Sequence, residues 1–151
     1  MTIVRTQAKR VAEEEDLKPI IIDGPPGIGC PVIASITGAD LVLIVTEPTL
    51  SARHDLERAA ALAGHFGIQV VVCINKCDLN LEMTAEIRDW CLQNQIVVVG
   101  QVPYDTSFTE AQMKEQSIVE YCSGSAARAV HELWSQVVET MEPQDDGTRS
   151  P

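Results

Sequence analysis

Three short stretches of this chain combine residue types and spacing that could do chemistry on a phosphorylated ligand. The first is Lys18 to Gly29, KPIIIDGPPGIG, in which an apolar run ends in one acid and turns at once through Gly24, Pro25, Pro26 and Gly27. A carboxylate at the carboxyl end of a buried strand can hold the water shell of Mg²⁺, and a glycine- and proline-rich loop directly after it can sense a γ-phosphate. The second is Asn75-Lys76-Cys77-Asp78, an N-K-x-D loop following the apolar run Val70 to Ile74. There an Asn amide can bond ring or exocyclic atoms of a purine, a Lys stem can cover an apolar edge, and an Asp can accept base N–H groups. The third is Gly100-Gln101-Val102-Pro103-Tyr104-Asp105, where Pro103 fixes the backbone so that neighbouring carbonyls and Asp105 could line a base or ribose pocket.

Each stretch also has a plainer reading. Asp78 or Asn80 could cap the helix that follows, and Asp105 or Thr106 could do the same for the next one. Order and distance favour the ligand reading: an acid-ended strand, one βαβ unit, then N-K-x-D after a third strand, with every loop emerging at the carboxyl ends of parallel strands. A glycine-rich G-x-x-x-x-G-K-[ST] loop, whose N–H groups would cradle the phosphates, matches no stretch. The chain therefore reads as half of a nucleotide site.

The elements that must position these loops are legible as hydrophobic pattern. Ile20 to Ile22, Leu41 to Val45, Val70 to Ile74 and Ile96 to Val99 are nearly continuous β-branched runs, expected of strands covered on both faces. Helical spacing is seen over Thr2 to Leu17, Pro31 to Thr37, Ser51 to Phe66 and Thr84 to Gln93. A final amphipathic helix spans Ser125 to Met141, with Ala126, Val130, Leu133, Val137 and Met141 on one stripe. The alternation predicts an α/β fold: a doubly wound, mostly parallel sheet with helices on both faces. Residues 1–141 would form the domain and 142–151, polar and Pro-rich, a disordered tail.

Composition narrows the partners. The 151 residues carry 22 acidic and 11 basic side chains, a formal net charge of −11, which repels nucleic-acid backbones and anionic lipid heads. No nucleic-acid or membrane binding is expected, and with no apolar signal core at MTIVRTQAKR the expected location is cytoplasmic. Five widely spaced cysteines read as reduced thiols, with Cys73 a small buried hydrophobe and not a metal ligand paired with Cys77.

The stretch from Asp23 to Asn80, with VPYD after it, resembles the MinD/ParA/Mrp superfamily of deviant P-loop ATPases, and more narrowly the branch with an inserted ferredoxin domain holding two [4Fe–4S] clusters. The resemblance runs from about Thr2 to Met141 and corresponds to the portion after the insertion; the P-loop segment and the ferredoxin domain are not in this sequence. It implies a dimeric ATPase that uses ATP and Mg²⁺. Asp23 would be the Walker B acid, acting on Mg²⁺ through water, and Gly24, Pro25, Pro26 and Gly27 the switch loop. Asn75 would bind adenine with Lys76 and Asp78 nearby, and Pro103 and Asp105 would close the base pocket. N-K-x-D taken alone suggests guanine. Ser51, His54 and Asp55 match a family segment in which Ala52-Arg53 stands in place of an expected Gly-Leu pair. The [4Fe–4S] clusters would belong to the absent ferredoxin portion, and a homodimer or a partner chain would supply the P-loop segment and fill the gap its strand leaves in the sheet. Negligible ATPase activity is expected of this chain alone. The competing expectations are a non-catalytic protein-interaction module, a remnant of such an ATPase, or a GTP-specific hydrolase half.

Overall fold

The computed structural model describes residues 2–141; the expected tail at 142–151 lies outside the described residues. Three strands form one parallel sheet in the order β1-β2-β3: β1 (Leu41–Thr46), β2 (Gln69–Asn75) and β3 (Val97–Val102). Helix α3 (Leu50–His65) connects β1 to β2 and α4 (Leu81–Gln93) connects β2 to β3, while α7 (Ser125–Met141) returns across the sheet. Ahead of the sheet lie α1 (Thr2–Glu15) and α2 (Cys30–Ile36), and between β3 and α7 lie α5 (Ser107–Met113) and α6 (Ile118–Tyr121).

Alternation along β2 explains why both faces carry helices. Val72 and Ile74 are fully buried against Leu56 of α3 and Ile87 and Cys91 of α4, whereas Val71 packs on the opposite face with Val99 and with Val137 of α7. Side chains two apart share a face and neighbours do not, so a central parallel strand must be apolar throughout. Local chemistry sets the helix starts: Thr49 accepts the Ala52 N–H at 3.2 Å to cap α3, and Asn80 accepts the Met83 N–H at 3.1 Å to cap α4. Helix α7 lies very close to β3. A Cβ placed on Gly100 would sit 2.8 Å from Leu133 Cδ1 and 3.1 Å from Leu133 Cβ, so a glycine is what lets the two backbones approach.

The strand expected at Ile20 to Ile22 does not form. Residues 17–25 are irregular, Ile20 is 40% and Ile21 75% exposed, and β1 pairs only with β2. Three apolar residues make a strand only when a neighbour takes up their N–H and C=O groups, and among the described residues none does. Strand β3 also runs further than the apolar pattern suggested, through Gly100 and Gln101 to Val102.

Candidate functional site

The carboxyl ends of the three strands lie at one rim of the sheet, and the loops leaving them are tied to one another. Asn75 is the last residue of β2, and Lys76 follows with φ +52°, a left-handed conformation uncommon for a residue with a side chain. The Asn75 Oδ1 accepts the Lys76 N–H at 3.0 Å, which holds that turn. Cys77 N–H then donates to the Val102 carbonyl at 3.1 Å, and Tyr104 N–H donates to Asp78 Oδ1 at 2.7 Å. The N-K-x-D loop and the V-P-Y-D loop are thus latched by one main-chain bond and one charge-assisted bond. Thr84 in the first turn of α4 adds a third tie, its hydroxyl donating to the Cys77 carbonyl at 2.7 Å.

Both plainer readings of these loops are also realised. Asn80, not Asp78, caps α4. Asp105 Oδ1 accepts the Ser107 N–H at 2.9 Å at the start of α5. The Ser107 hydroxyl beside it, which lacks a well-aligned partner of its own, and that N–H hold the Asp105 carboxyl below its ordinary range. Asp78 leaves its own mark nearby: burial, and then the Asp78 charge, push the Cys77 thiol up.

Sequence reasoning missed Glu47. It follows β1 directly, and its Oε1 lies 2.7 Å from Lys76 Nζ, joining the rim loops of β1 and β2. The signal was available, since Leu41 to Glu47 is an apolar run ending in an acid, the feature that drew attention to Asp23. The charged residues between the strand ends and the following helices are Glu47, Lys76, Asp78 and Asp105. Three of the four are carboxylates, and the one ammonium is already paired with Glu47.

Asp23 and the loop Gly24, Pro25, Pro26 and Gly27 stand apart from this network. Asp23 is exposed, and among the described residues no hydrogen bond or ion pair joins it to the rim. The loop leans on α2, with the Ser35 Oγ 3.3 Å from where a Cβ on Gly24 would be, and Gly27 has φ +91°, which requires glycine. Arg53, whose place in the sequence was unusual, serves helix packing: its guanidinium lies 5.2 Å from the Trp90 ring centroid and its Nη2 2.8 Å from Glu57 Oε1.

Two of the five cysteines behave as hydrophobes. Cys73 and Cys91 are buried, and burial pushes each thiol up to about 11, reinforced at Cys73 by Cys77 and opposed at Cys91 by the Arg53 charge. Among the described residues no group of three or more His, Cys, Asp or Glu side chains is placed to hold a metal ion. No described helix is long and apolar enough to cross a membrane.

The backbone as a whole superimposes on solved structures of cell-division proteins. MinD of Aquifex aeolicus matches with a TM-score of 0.75 and 18% identity over 89% of this chain and 58% of that one. The fold is that of the MinD ATPases. MinD of Pyrococcus horikoshii complexed with Mg-ADP matches with a TM-score of 0.66 and 16% identity, over 82% of this chain and 52% of that one. The Aquifex aeolicus MinC:MinD complex gives a TM-score of 0.75 and 19% identity, over 92% of this chain and 59% of that one.

Curated sequences add relatives from Methanocaldococcus jannaschii. An uncharacterized protein is 40% identical over 60 residues, 40% of this chain and 22% of that protein, and an uncharacterized ATP-binding protein is 26% identical over 140 residues, 87% of this chain and 53% of that protein. No protein-family model matches. The chain thus spans about half the length of the ATP-binding relative and of the MinD structures.

Proposed function

We propose that this chain is the base-recognising portion of a MinD-like ATP-handling domain, with residues 1–141 supplying base-side loops, Walker B acid and switch loop but not the phosphate cradle. The observation that carries this reading is the latch at the rim, where Asp78, Tyr104, Cys77 and Val102 hold the N-K-x-D and V-P-Y-D loops side by side at the carboxyl ends of parallel strands. The ATP-binding relative and the Mg-ADP complex of a structural neighbour support the choice of ligand. Asp78 spends one oxygen on the Tyr104 N–H, so it does not offer both to the paired N–H donors of guanine. Asn75, whose Oδ1 holds the Lys76 N–H, reads the base through its side-chain NH₂, donating to a ring nitrogen, and that base is adenine.

Electrostatics argue that the triphosphate is held from elsewhere. The rim's own charges are Glu47, Asp78 and Asp105 against a paired Lys76, and phosphoryl transfer depends on positive groups and N–H donors around the phosphates. Mg²⁺ fits this chain only as a water-mediated partner of Asp23, whose exposed carboxylate is uncommitted among the described residues. A [4Fe–4S] cluster does not fit, since Cys73 and Cys91 are buried among apolar side chains and no described set of ligands converges. The phosphate cradle and an iron–sulfur site are both supplied by sequence outside these 151 residues, whether in the same polypeptide or in a partner.

The test is binding of fluorescent ATP and GTP analogues, with Mg²⁺, to the full chain alone and mixed with the part of the ATP-binding relative that lies outside its match with this chain. Expected are negligible binding alone, ATP binding in the mixture, a loss of tenfold or more, order of magnitude, for Asn75→Ala, and no gain of GTP binding for Asp78→Asn. Equal binding of both nucleotides, or indifference to Asn75→Ala, overturns the reading.

A further inference from the structure

We propose that Glu47 sets the ligand preference of the rim. By pairing with Lys76 it cancels the one ammonium in the loops that leave the strand ends, so that the site takes an uncharged purine nucleoside in preference to the polyphosphate of that nucleoside. The proposal deepens the function above and rests on it for the identity of the base reader, Asn75.

The main chain puts Glu47 in that role. The parallel register that pairs Thr46 with Ile74 brings Glu47, the next residue, alongside Asn75. Its backbone is anchored there, because the Glu47 carbonyl accepts the Thr49 N–H at 2.8 Å and Thr49 in turn caps α3. Lys76 is fixed as well: its φ is +52°, its N–H is held by Asn75 Oδ1, and its carbonyl accepts the Leu79 N–H at 3.1 Å. Two anchored backbones thus present an acid and an ammonium to each other. Lys76 Nζ and Glu47 Oε1 meet at 2.7 Å, with the two side chains 39% and 41% exposed.

An N-K-x-D loop can offer a ligand two different things, an amide that reads a base and an ammonium that attracts phosphate. Here the ammonium is already neutralised. With Glu47, Asp78 and Asp105 against Lys76, three carboxylates and one ammonium, the loops leaving the strand ends carry a net charge of −2. Like charge disfavours the phosphate end of a nucleotide and leaves the base end untouched. An ion pair that only props one loop against another is the plainer account, since exposed pairs are common and weak. The two accounts differ in what charge does. A prop depends on shape, whereas a ligand preference follows the net charge of the loops, whichever residue alters it.

The experiment titrates adenosine, and separately ATP without Mg²⁺, into the full chain and follows the nuclear magnetic resonance signals of the Asn75, Lys76 and Cys77 amides and of the Asn75 side-chain NH₂. The quantity read is the ratio of the two affinities, which cancels any loss common to both ligands. The parent chain is expected to bind adenosine more tightly than ATP. Glu47→Gln removes the charge and keeps an oxygen for Lys76, and should move the ratio towards ATP by about two- to fivefold; Lys76→Met keeps the stem without the ammonium and should move it as far the other way. The two changes together remove one charge of each sign and should restore the parental ratio. Added salt should narrow every difference. ATP bound as tightly as adenosine by the parent, no shift at Asn75 with adenosine, or ratios that do not follow charge in the single and double variants, overturns the proposal. Guanosine bound as tightly as adenosine, with ratios that still follow charge, would instead sink the adenine reading and leave the role of Glu47 standing.

Discussion

The close approach of α7 to β3 makes Gly100→Ala the most quantitative probe of this fold. The added methyl would meet Leu133 Cδ1 at 2.8 Å and Leu133 Cβ at 3.1 Å. A change of rotamer can swing the Cδ1 away, but the Cβ moves only with the helix backbone, so the helix must retreat by a few tenths of an ångström. Overpacking of this kind costs about 1–3 kcal/mol. In a chain of this size that corresponds to a fall in melting temperature of about 2–12 °C. Leu133→Ala alone destabilises by removing contacts with Val71, Val99 and Val137. In the double variant Cδ1 and Cγ are gone, and with them the forced rotamer change, while the Cβ contact remains, so the combined cost should fall short of the sum by about 0.5–1 kcal/mol. Thermal or urea unfolding of the four proteins closes the cycle. Strict additivity, or a Gly100→Ala protein as stable as the parent, would refute the packing argument.

Thiol chemistry and pH give two further checks. Cys30, exposed, should react first with iodoacetamide near neutral pH, with Cys73 and Cys91 modified only on unfolding, as peptide mapping would show. The raised thiols of Cys73 and Cys91 also predict an alkaline limit. A folded-state pKa of about 11 against 9.0 for a free thiol gives stability that is complete below pH 9 and lost as pH rises towards 11. Asp105 works in the opposite sense: its carboxyl is held below the 3.8 of a free side chain, so its contribution at the start of α5 is present above that value and lost as pH falls through the lowered one. Asp105→Asn should flatten the acid limb of stability against pH, and an unchanged limb would remove the cap.

Much of this architecture was written in periodicity. The apolar runs of β1 and β2 and the stripe of α7 are long and strongly patterned, so they were placed within a residue or so; along that stripe Leu133 and Val137 meet the sheet, Ala126 and Val130 pack with residues of α5 and α6, and Met141 is exposed. What escaped was what depends on distant or missing chain. Ile20 to Ile22 has the composition of a strand, yet a strand is a property of a pair. Helices α5 and α6 are too short for a period to show and rest on local acceptors such as Asp105 and on the Glu120 carboxylate, which accepts the Ser117 N–H at 3.0 Å. The loops after β2 and β3 stood out in the sequence as motifs, but the bonds that organise them join positions far apart in sequence. Asp78 to Tyr104 spans 26 residues, and the pairing of Lys76 with Glu47 crosses from one rim loop to another. Arg53 illustrates the same limit: its departure from the family pattern was visible, but its role over Trp90 needed the helices side by side.

The surplus of carboxylates in the loops that leave the strand ends has an experimental signature of its own. A basic phosphate cleft loses affinity as sodium chloride is added, because dissolved ions screen an attraction. Here the fixed charges oppose an incoming polyanion, so whatever weak association the unassisted chain has with a nucleotide should strengthen with ionic strength, and a titration in rising salt would slope the opposite way from that of a self-sufficient nucleotidase.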